Sequence, residues 1–306
     1  GNSCYYFDKD GKMAVDTWIG DYYVNADGAW VPGQKKDDQK NDQNGSQNSN
    51  QNQTQTKAQW VNTSGRWWYR HADGSYTKSN WEYIDGQWYY FDKDGCGTPY
   101  MKSGVITIAY NGKKRMYYAQ KETLVTNAIA GNSKDGYCYV GSDGVVVKDK
   151  VIKRAVKYVR AHTKTGWSRE KKLKACYQYL WKHYSYQRFY ESPKASKMSS
   201  YANYMLSKKR GNCYRYAASF AYIARVLGYD VRVAAGSIPH LHGSGMTPHG
   251  WTEIKIDGKW YLFDTNMQKN FPKVDSYKKT DKTYPYPHKV AAKYKMKVSN
   301  GKISWK

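Results

Sequence analysis

Cys213 stands in the stretch Gly211 to Gly228, GNCYRYAASFAYIARVLG, directly behind a Gly-Asn pair and at the first turn of a helix that the spacing predicts. A thiol there meets the positive end of the helix macrodipole and the unpaired N–H groups of the first turn, and both favour thiolate over thiol. A thiolate is a nucleophile, and it needs a base beside it. Downstream, PHGWTEIKIDGKWYLFDTN supplies His249 and Asp264 on two short alternating runs around Asp257-Gly258, a dipeptide that favours a tight hairpin turn. A two-residue loop pairs residues whose numbers sum to 515, so Trp251 faces Asp264, and His249 sits on the same face, diagonal to the carboxylate. A three-residue loop would put the two on opposite faces. The expected chemistry is that of a Cys-His-Asp triad, in which the carboxylate fixes the imidazole tautomer and the imidazole activates the thiol.

The elements that hold these residues follow from periodicity. Small residues recur at Cys213, Ala217, Ala221 and Ala224 and bulky ones at Phe220, Ile223 and Leu227, so one helix face can lie close to a sheet while another fills a core. Gly228 is expected to end the helix as a left-handed cap. VIKRAVKYVRAHT and REKKLKACYQYLWKHYSY carry apolar residues three and four apart, which predicts two amphipathic helices with basic outer faces. A looser stretch rich in Ser, Lys and Tyr leads from the second to the nucleophile helix. Trp251 and Tyr214 flank the triad in sequence and are expected as water-excluding walls. After Met267 the chain is basic and tyrosine-rich, with Tyr284-Pro285-Tyr286-Pro287 as an extended or turn segment and a strand-like run near Lys293 to Val298, where no chemistry is expected.

Gly-x-Cys opening a helix, a strand, then His-x-Trp-x-Glu and an Asp-Gly-x-Trp-Tyr-x-x-Asp hairpin resemble the transglutaminase-like superfamily core, in its bacterial secreted branch, over roughly Val151 to Met267. The resemblance implies an α+β, papain-like core in which a helix-borne cysteine packs on an antiparallel sheet. It makes Cys213 the nucleophile, His249 the base and Asp264 the orienting carboxylate of an acyl transfer through a thioester on protein or peptide amides. The run Thr265-Asn266-Met267 departs from the family's usual Asp-x-Thr-Trp, so the rim of the site differs. The superfamily also contains hydrolytic and inactive members, so a peptidase or amidase with the same triad and a non-catalytic adhesin remain the alternatives.

Repeats fill the first half. Trp60 and Trp81, Gly65 and Gly86, Trp67 and Trp88, Tyr69 and Tyr90, and Asp73-Gly74 and Asp94-Gly95 each lie 21 residues apart. The unit reads as two short strands and a tight turn, with degenerate copies at Tyr22-Tyr23, Tyr117-Tyr118 and Tyr137 to Tyr139. A single such hairpin cannot bury its aromatic face, so neighbours are expected to stack into a solenoid. The units resemble the choline-binding or glucan-binding cell-wall repeats of Gram-positive surface proteins, which implies an aromatic ligand site here at Trp67, Trp81, Trp88 and Tyr90. The partner so implied is the bacterial cell wall, through teichoic acid choline, glycan or another anionic polymer.

Composition frames the rest. Fifty Lys and Arg against 25 Asp and Glu give a net charge of +25, which points to an anionic partner. No groove-reading motif supports a nucleic-acid binder. No apolar run approaches the roughly 20 residues of a membrane span. No signal peptide is visible, and a start at Gly1 is what a processed secreted protein would show. Five cysteines, at 4, 96, 138, 176 and 213, are too scattered for a disulfide framework; Cys176 reads as a buried structural thiol, and pairing among Cys4, Cys96 and Cys138 stays open. His240 and His242 would join His249 and Cys213 in a conceivable zinc set, but their spacing matches no closed site, so no metal or other cofactor is expected. The expected order is wall-binding-type repeats over 1–32, a flexible polar linker over 33–59, aromatic hairpin repeats over 60–150 and the catalytic domain over 151–306.

Overall fold

The computed structural model describes residues 17–19, 22–24, 30–31, 57–63, 66–78, 80–85, 87–91, 104–110, 113–120, 123–134, 136–240 and 243–306. The chain divides into two compact units, Gly1–Tyr100 and Met101–Lys306. Most of the expected linker and of the first repeat block, together with Cys4 and Cys96, lies outside the described residues.

In the first unit β1 (Thr17–Ile19), β2 (Tyr22–Val24) and β3 (Trp30–Val31) form one antiparallel sheet, and β4 (Gln59–Thr63) with β5 (Arg66–Arg70) and β6 (Asn80–Ile84) with β7 (Gln87–Phe91) form two hairpins. The two hairpins have equivalent registers, Trp60 opposite Tyr69 and Trp81 opposite Tyr90. Trp60 also meets the next hairpin, with ring centroids 4.7 Å from Tyr89 and 6.1 Å from Phe91. Burial of aromatic area between neighbouring hairpins is the interaction a lone hairpin lacks.

The second unit begins with β8 (Gly104–Tyr110), β9 (Lys113–Gln120) and β10 (Thr123–Leu124), then the hairpin of β11 (Ala128–Asn132) and β12 (Gly136–Val140). Helices α1 (Lys150–His162), α2 (Arg169–His183), α3 (Met198–Lys208) and α4 (Cys213–Val226) follow, with β13 (Ser185–Tyr186) and β14 (Arg210–Gly211) pairing in parallel between them. The main sheet has the order β17 (Lys259–Phe263), β16 (Met246–Ile256), β15 (Asp230–Pro239), β18 (Lys289–Ser299), β19 (Lys302–Trp305), all antiparallel. Helix α5 (Thr265–Asn270) follows β17.

The sequence boundary at 150/151 differs from the one at 100/101. Tyr139 and Val147 belong to the same core as α1, α2 and α4. Asn127 donates to the Gly228 carbonyl at 3.0 Å and accepts from the Tyr139 hydroxyl at 2.8 Å. The last repeat-like hairpin thus packs as part of the helical unit. The stretch read as loose contains α3, whose buried Met198, Tyr201, Ala202 and Met205 follow the i, i+3, i+4, i+7 pattern. Every residue of α4 is buried. It ends as expected: Gly228 has φ 86°, the Tyr229 N–H reaches the Ala224 carbonyl at 3.1 Å, and the Gly228 N–H reaches that of Arg225 at 2.8 Å.

Candidate active site

The turn between β16 and β17 fixes the register. Asp257 and Gly258 have φ of 47° and 79°, and Ile256 pairs with Lys259 and Thr252 with Phe263, as the two-residue loop requires. Asp264 directly follows β17 and caps α5. Its Oδ1 accepts the N–H groups of Asn266 at 3.1 Å and Met267 at 2.8 Å, while its Oδ2 lies 2.6 Å from His249 Nε2. One carboxylate thus serves both as a helix cap and as the orienter of the imidazole.

Helix α4 is locked to β16 beside this pair. The Thr252 hydroxyl donates to the Ala217 carbonyl at 2.8 Å. Gly250 lets the helix approach, since a Cβ there would lie 2.5 Å from Tyr214 Cδ1. At the start of α4, Asn212 caps the helix by accepting from the Arg215 N–H at 3.2 Å. Beside Asp264, which takes Nε2, Cys213 is the other group that favours the protonated imidazole, through a side-chain hydrogen bond in which the sulfur accepts. Burial alone would push the imidazole down, but the Asp264 charge and hydrogen bond, aided by Cys213, raise it to about 10. The site is shielded from water, with Cys213 7% exposed, His249 4% and Asp264 1%. By contrast, burial pushes the Cys176 thiol up to about 12, as suits a structural cysteine.

Several supporting residues were not read from the sequence. Tyr284, in the segment where no chemistry was expected, donates its hydroxyl to the same Asp264 Oδ2 at 2.6 Å. Tyr177 donates to the Asp264 backbone carbonyl at 2.9 Å. Arg215 pairs with Glu191, which also accepts from Asn212 Nδ2 at 3.2 Å, and the guanidinium lies 3.6 Å over the Phe189 ring. These contacts tie the 187–197 segment to the helix cap. Tyr186 is 47% exposed, and its phenol is raised by burial first and then by the charge of Cys213.

Other expectations fare differently. Trp251 is 1% exposed, stacks on His249 with centroids 6.3 Å apart and packs with Ala234, Leu262 and Tyr284, and Tyr214 is pressed on Gly250, so both keep water from this side of His249 as buried side chains. Of the four expected repeat-site aromatics, Trp67 is 40% exposed, and the side chains of Trp81, Trp88 and Tyr90 lie outside the described ones. His240 closes a turn with its N–H on the Gly245 carbonyl, and His242 lies outside the described residues. Among the described residues no helix is long and apolar enough to cross a membrane.

Comparison with known proteins adds the family. The transglutaminase-like superfamily matches residues 156–265, a span that contains Cys213, His249 and Asp264. A choline-binding repeat matches residues 1–30, and a repeat described as cell wall binding matches residues 79–95. No curated protein matches this chain. Among solved structures, the modular autolysin LytC of Streptococcus pneumoniae, in complex with a synthetic peptidoglycan ligand, is 23% identical with a TM-score of 0.22, covering 47% of this chain and 26% of that one. CbpJ from Streptococcus pneumoniae TIGR4 is 22% identical with a TM-score of 0.22, covering 48% and 39%. A TGase is 18% identical with a TM-score of 0.31, covering 43% and 35%. The chain spans less than two fifths of the length of each of these structures, and at such TM-scores none bears on the site. The chain carries a transglutaminase-like superfamily domain, with choline-binding repeats at its N-terminus.

Proposed function

We propose that the chain is a wall-associated cysteine acyltransferase that forms a thioester at Cys213 on the carboxamide of a protein or peptide. The observation that carries this reading is the chain of contacts from a thiol at the first turn of α4, through His249, to the Asp264 carboxylate. With its proton already held by His249, the Cys213 sulfur attacks the carbonyl carbon as the thiolate. The oxyanion is met by the Cys213 backbone N–H, one of the free donors of the helix start. Ammonia leaves with the proton held by His249, and an amine of lysine type then attacks the thioester, returning a proton to the imidazole. Low exposure of the thiol favours transfer over hydrolysis, because water at ~55 M otherwise competes with the amine. The repeats hold the enzyme, outside the cell, on choline-bearing wall polymer through aromatic faces such as that of Trp67.

Intact mass of glutamine peptides incubated with and without a small primary amine tests the reaction. The amine adduct is expected, lost in Cys213→Ala and reduced in Asp264→Asn. Conversion of glutamine to glutamate with no adduct at any amine concentration would refute transfer in favour of an amidase, and a cleaved peptide backbone would make it a protease. For the repeats, retention on choline-bearing walls at high salt and release by free choline are expected.

A further inference from the structure

Three cavities of about 450, 390 and 440 Å³ share lining residues along α1, and the second reaches Val226 at the end of α4 opposite Cys213, roughly 20 Å along a helix of 14 residues. The first and second share Thr163 and Lys164, and the second and third share Tyr137 and Arg160. The first is lined by His162, Lys164, Lys182 and His183, the second by Arg160, Lys164, Arg169 and Lys172, and the third by Lys153 and Lys157 besides Arg160. Among the described residues no carboxylate lines any of the three. Residues 150–183 hold eleven Lys or Arg and one acid, Glu170, which is paired with Lys278 at 2.7 Å.

Three cations of this groove rest on neutral groups. Lys172 Nζ donates to the Thr165 carbonyl at 3.0 Å, and Arg169 to that of Gly228 at 3.4 Å. Arg160 lies 3.4 Å over the Tyr137 ring. The ring that this degenerate repeat would offer to an external cation is therefore covered by the chain's own guanidinium, and the positive charge is turned outward. The His162 imidazole is lowered from its ordinary value by burial first and then by His183 and Lys209.

We propose that this groove binds a linear polyol-phosphate polymer, engaging successive phosphodiesters and seating the catalytic domain on it independently of the repeats. Charge sets the ligand as a polyanion, and the aromatic rings decide against a nucleic acid. Binding of single strands relies on open ring faces on which bases stack. Here Tyr179 is sandwiched between His162 and His183, with centroids at 3.5 and 4.2 Å, and Lys171 lies over Trp167 at 4.8 Å. A flexible phosphodiester chain without bases needs only the cations.

The test is fluorescence anisotropy of a labelled synthetic glycerol-phosphate oligomer, which carries no choline, with the full chain at several salt concentrations. The variant Lys153→Gln, Lys157→Gln, Lys164→Gln, Lys172→Gln is compared with Lys255→Gln, Lys259→Gln, Lys297→Gln, Lys302→Gln, which removes equal charge from exposed positions of the sheet. Unchanged thermal unfolding establishes that each is folded, and Lys164→Gln alone serves if the fourfold variant is not. The groove variant is expected to lose about tenfold or more in affinity and to lower the slope of log K against log salt by roughly 3, with the control within about twofold. Equal losses in the two variants, or no loss in either, would overturn the site. Tighter binding of single-stranded DNA of equal charge would overturn the ligand assignment.

Discussion

Replacing Tyr284 with Phe removes one oxygen from the support of the Asp264 carboxylate and little else. The ring keeps its neighbours, with centroids 6.4 Å from Trp251, 5.4 Å from Tyr286 and 5.2 Å from His288. What disappears is a 2.6 Å hydrogen bond to Asp264 Oδ2, made away from water to a group that carries charge. Hydrogen bonds to charged groups contribute about 1.5 to 3 kcal/mol. The Asp264 carboxylate still accepts from Asn266, Met267 and His249, so the loss is expected near the middle, about 2 kcal/mol. Urea unfolding of the variant should show a midpoint lowered by roughly 1 M at unchanged slope. The kinetic signature is separate from the stability loss. With one donor fewer, Asp264 is a stronger acceptor, His249 holds its proton more tightly, and the alkaline limb of the pH–rate profile moves to higher pH. A double-mutant cycle with Asp264→Asn isolates the pair. A stability loss below about 0.5 kcal/mol, or full additivity with Asp264→Asn, would refute the assignment of Tyr284 as a positioning residue.

Two further outcomes follow from the geometry. The folded pKa of His249 is raised from 6.5 to about 10, so its stabilising contribution is complete below pH 6.5 and fades as pH climbs through about 10. The stability difference between the wild type and His249→Gln, measured by urea unfolding, should therefore shrink across that window, and a difference that stays constant with pH would refute the coupling. Gly250→Ala places a methyl 2.5 Å from Tyr214 Cδ1 and 3.3 Å from the Ala234 carbonyl, forcing α4 away from β16. Overpacking of this kind costs about 1 to 3 kcal/mol, so wild-type stability in the same unfolding assay would show that the helix does not depend on this close approach.

Much of the site was legible because its signals are local. The 3.6-residue spacing marks α1, α2 and α4, and the Asp257-Gly258 turn sets the pairing of β16 with β17, so the diagonal from His249 to Asp264 follows from counting residues. Backbone dihedral preferences and strand alternation act within a few residues, and a sequence carries them openly. Helix α3 was within reach of the same reasoning: its apolar positions have helical spacing, but they are Met, Tyr and Ala among serines, and no side chain caps its start.

The remainder depended on which distant segments meet. Tyr284 lies twenty residues beyond Asp264 in a stretch with no period, and only the path of the chain back over Trp251 brings its hydroxyl to the carboxylate. The link from Arg215 to Glu191, and the packing of β11 and β12 with the helices, are likewise set by how the core closes. The sequence by itself determined helix α4 with Cys213 at its start, the hairpin and its register, and the excess of positive charge. Only the tertiary structure decided what supports Asp264, how far the thiol is shielded, and where the uncompensated cations gather, because those depend on side chains brought together by packing rather than by spacing along the chain.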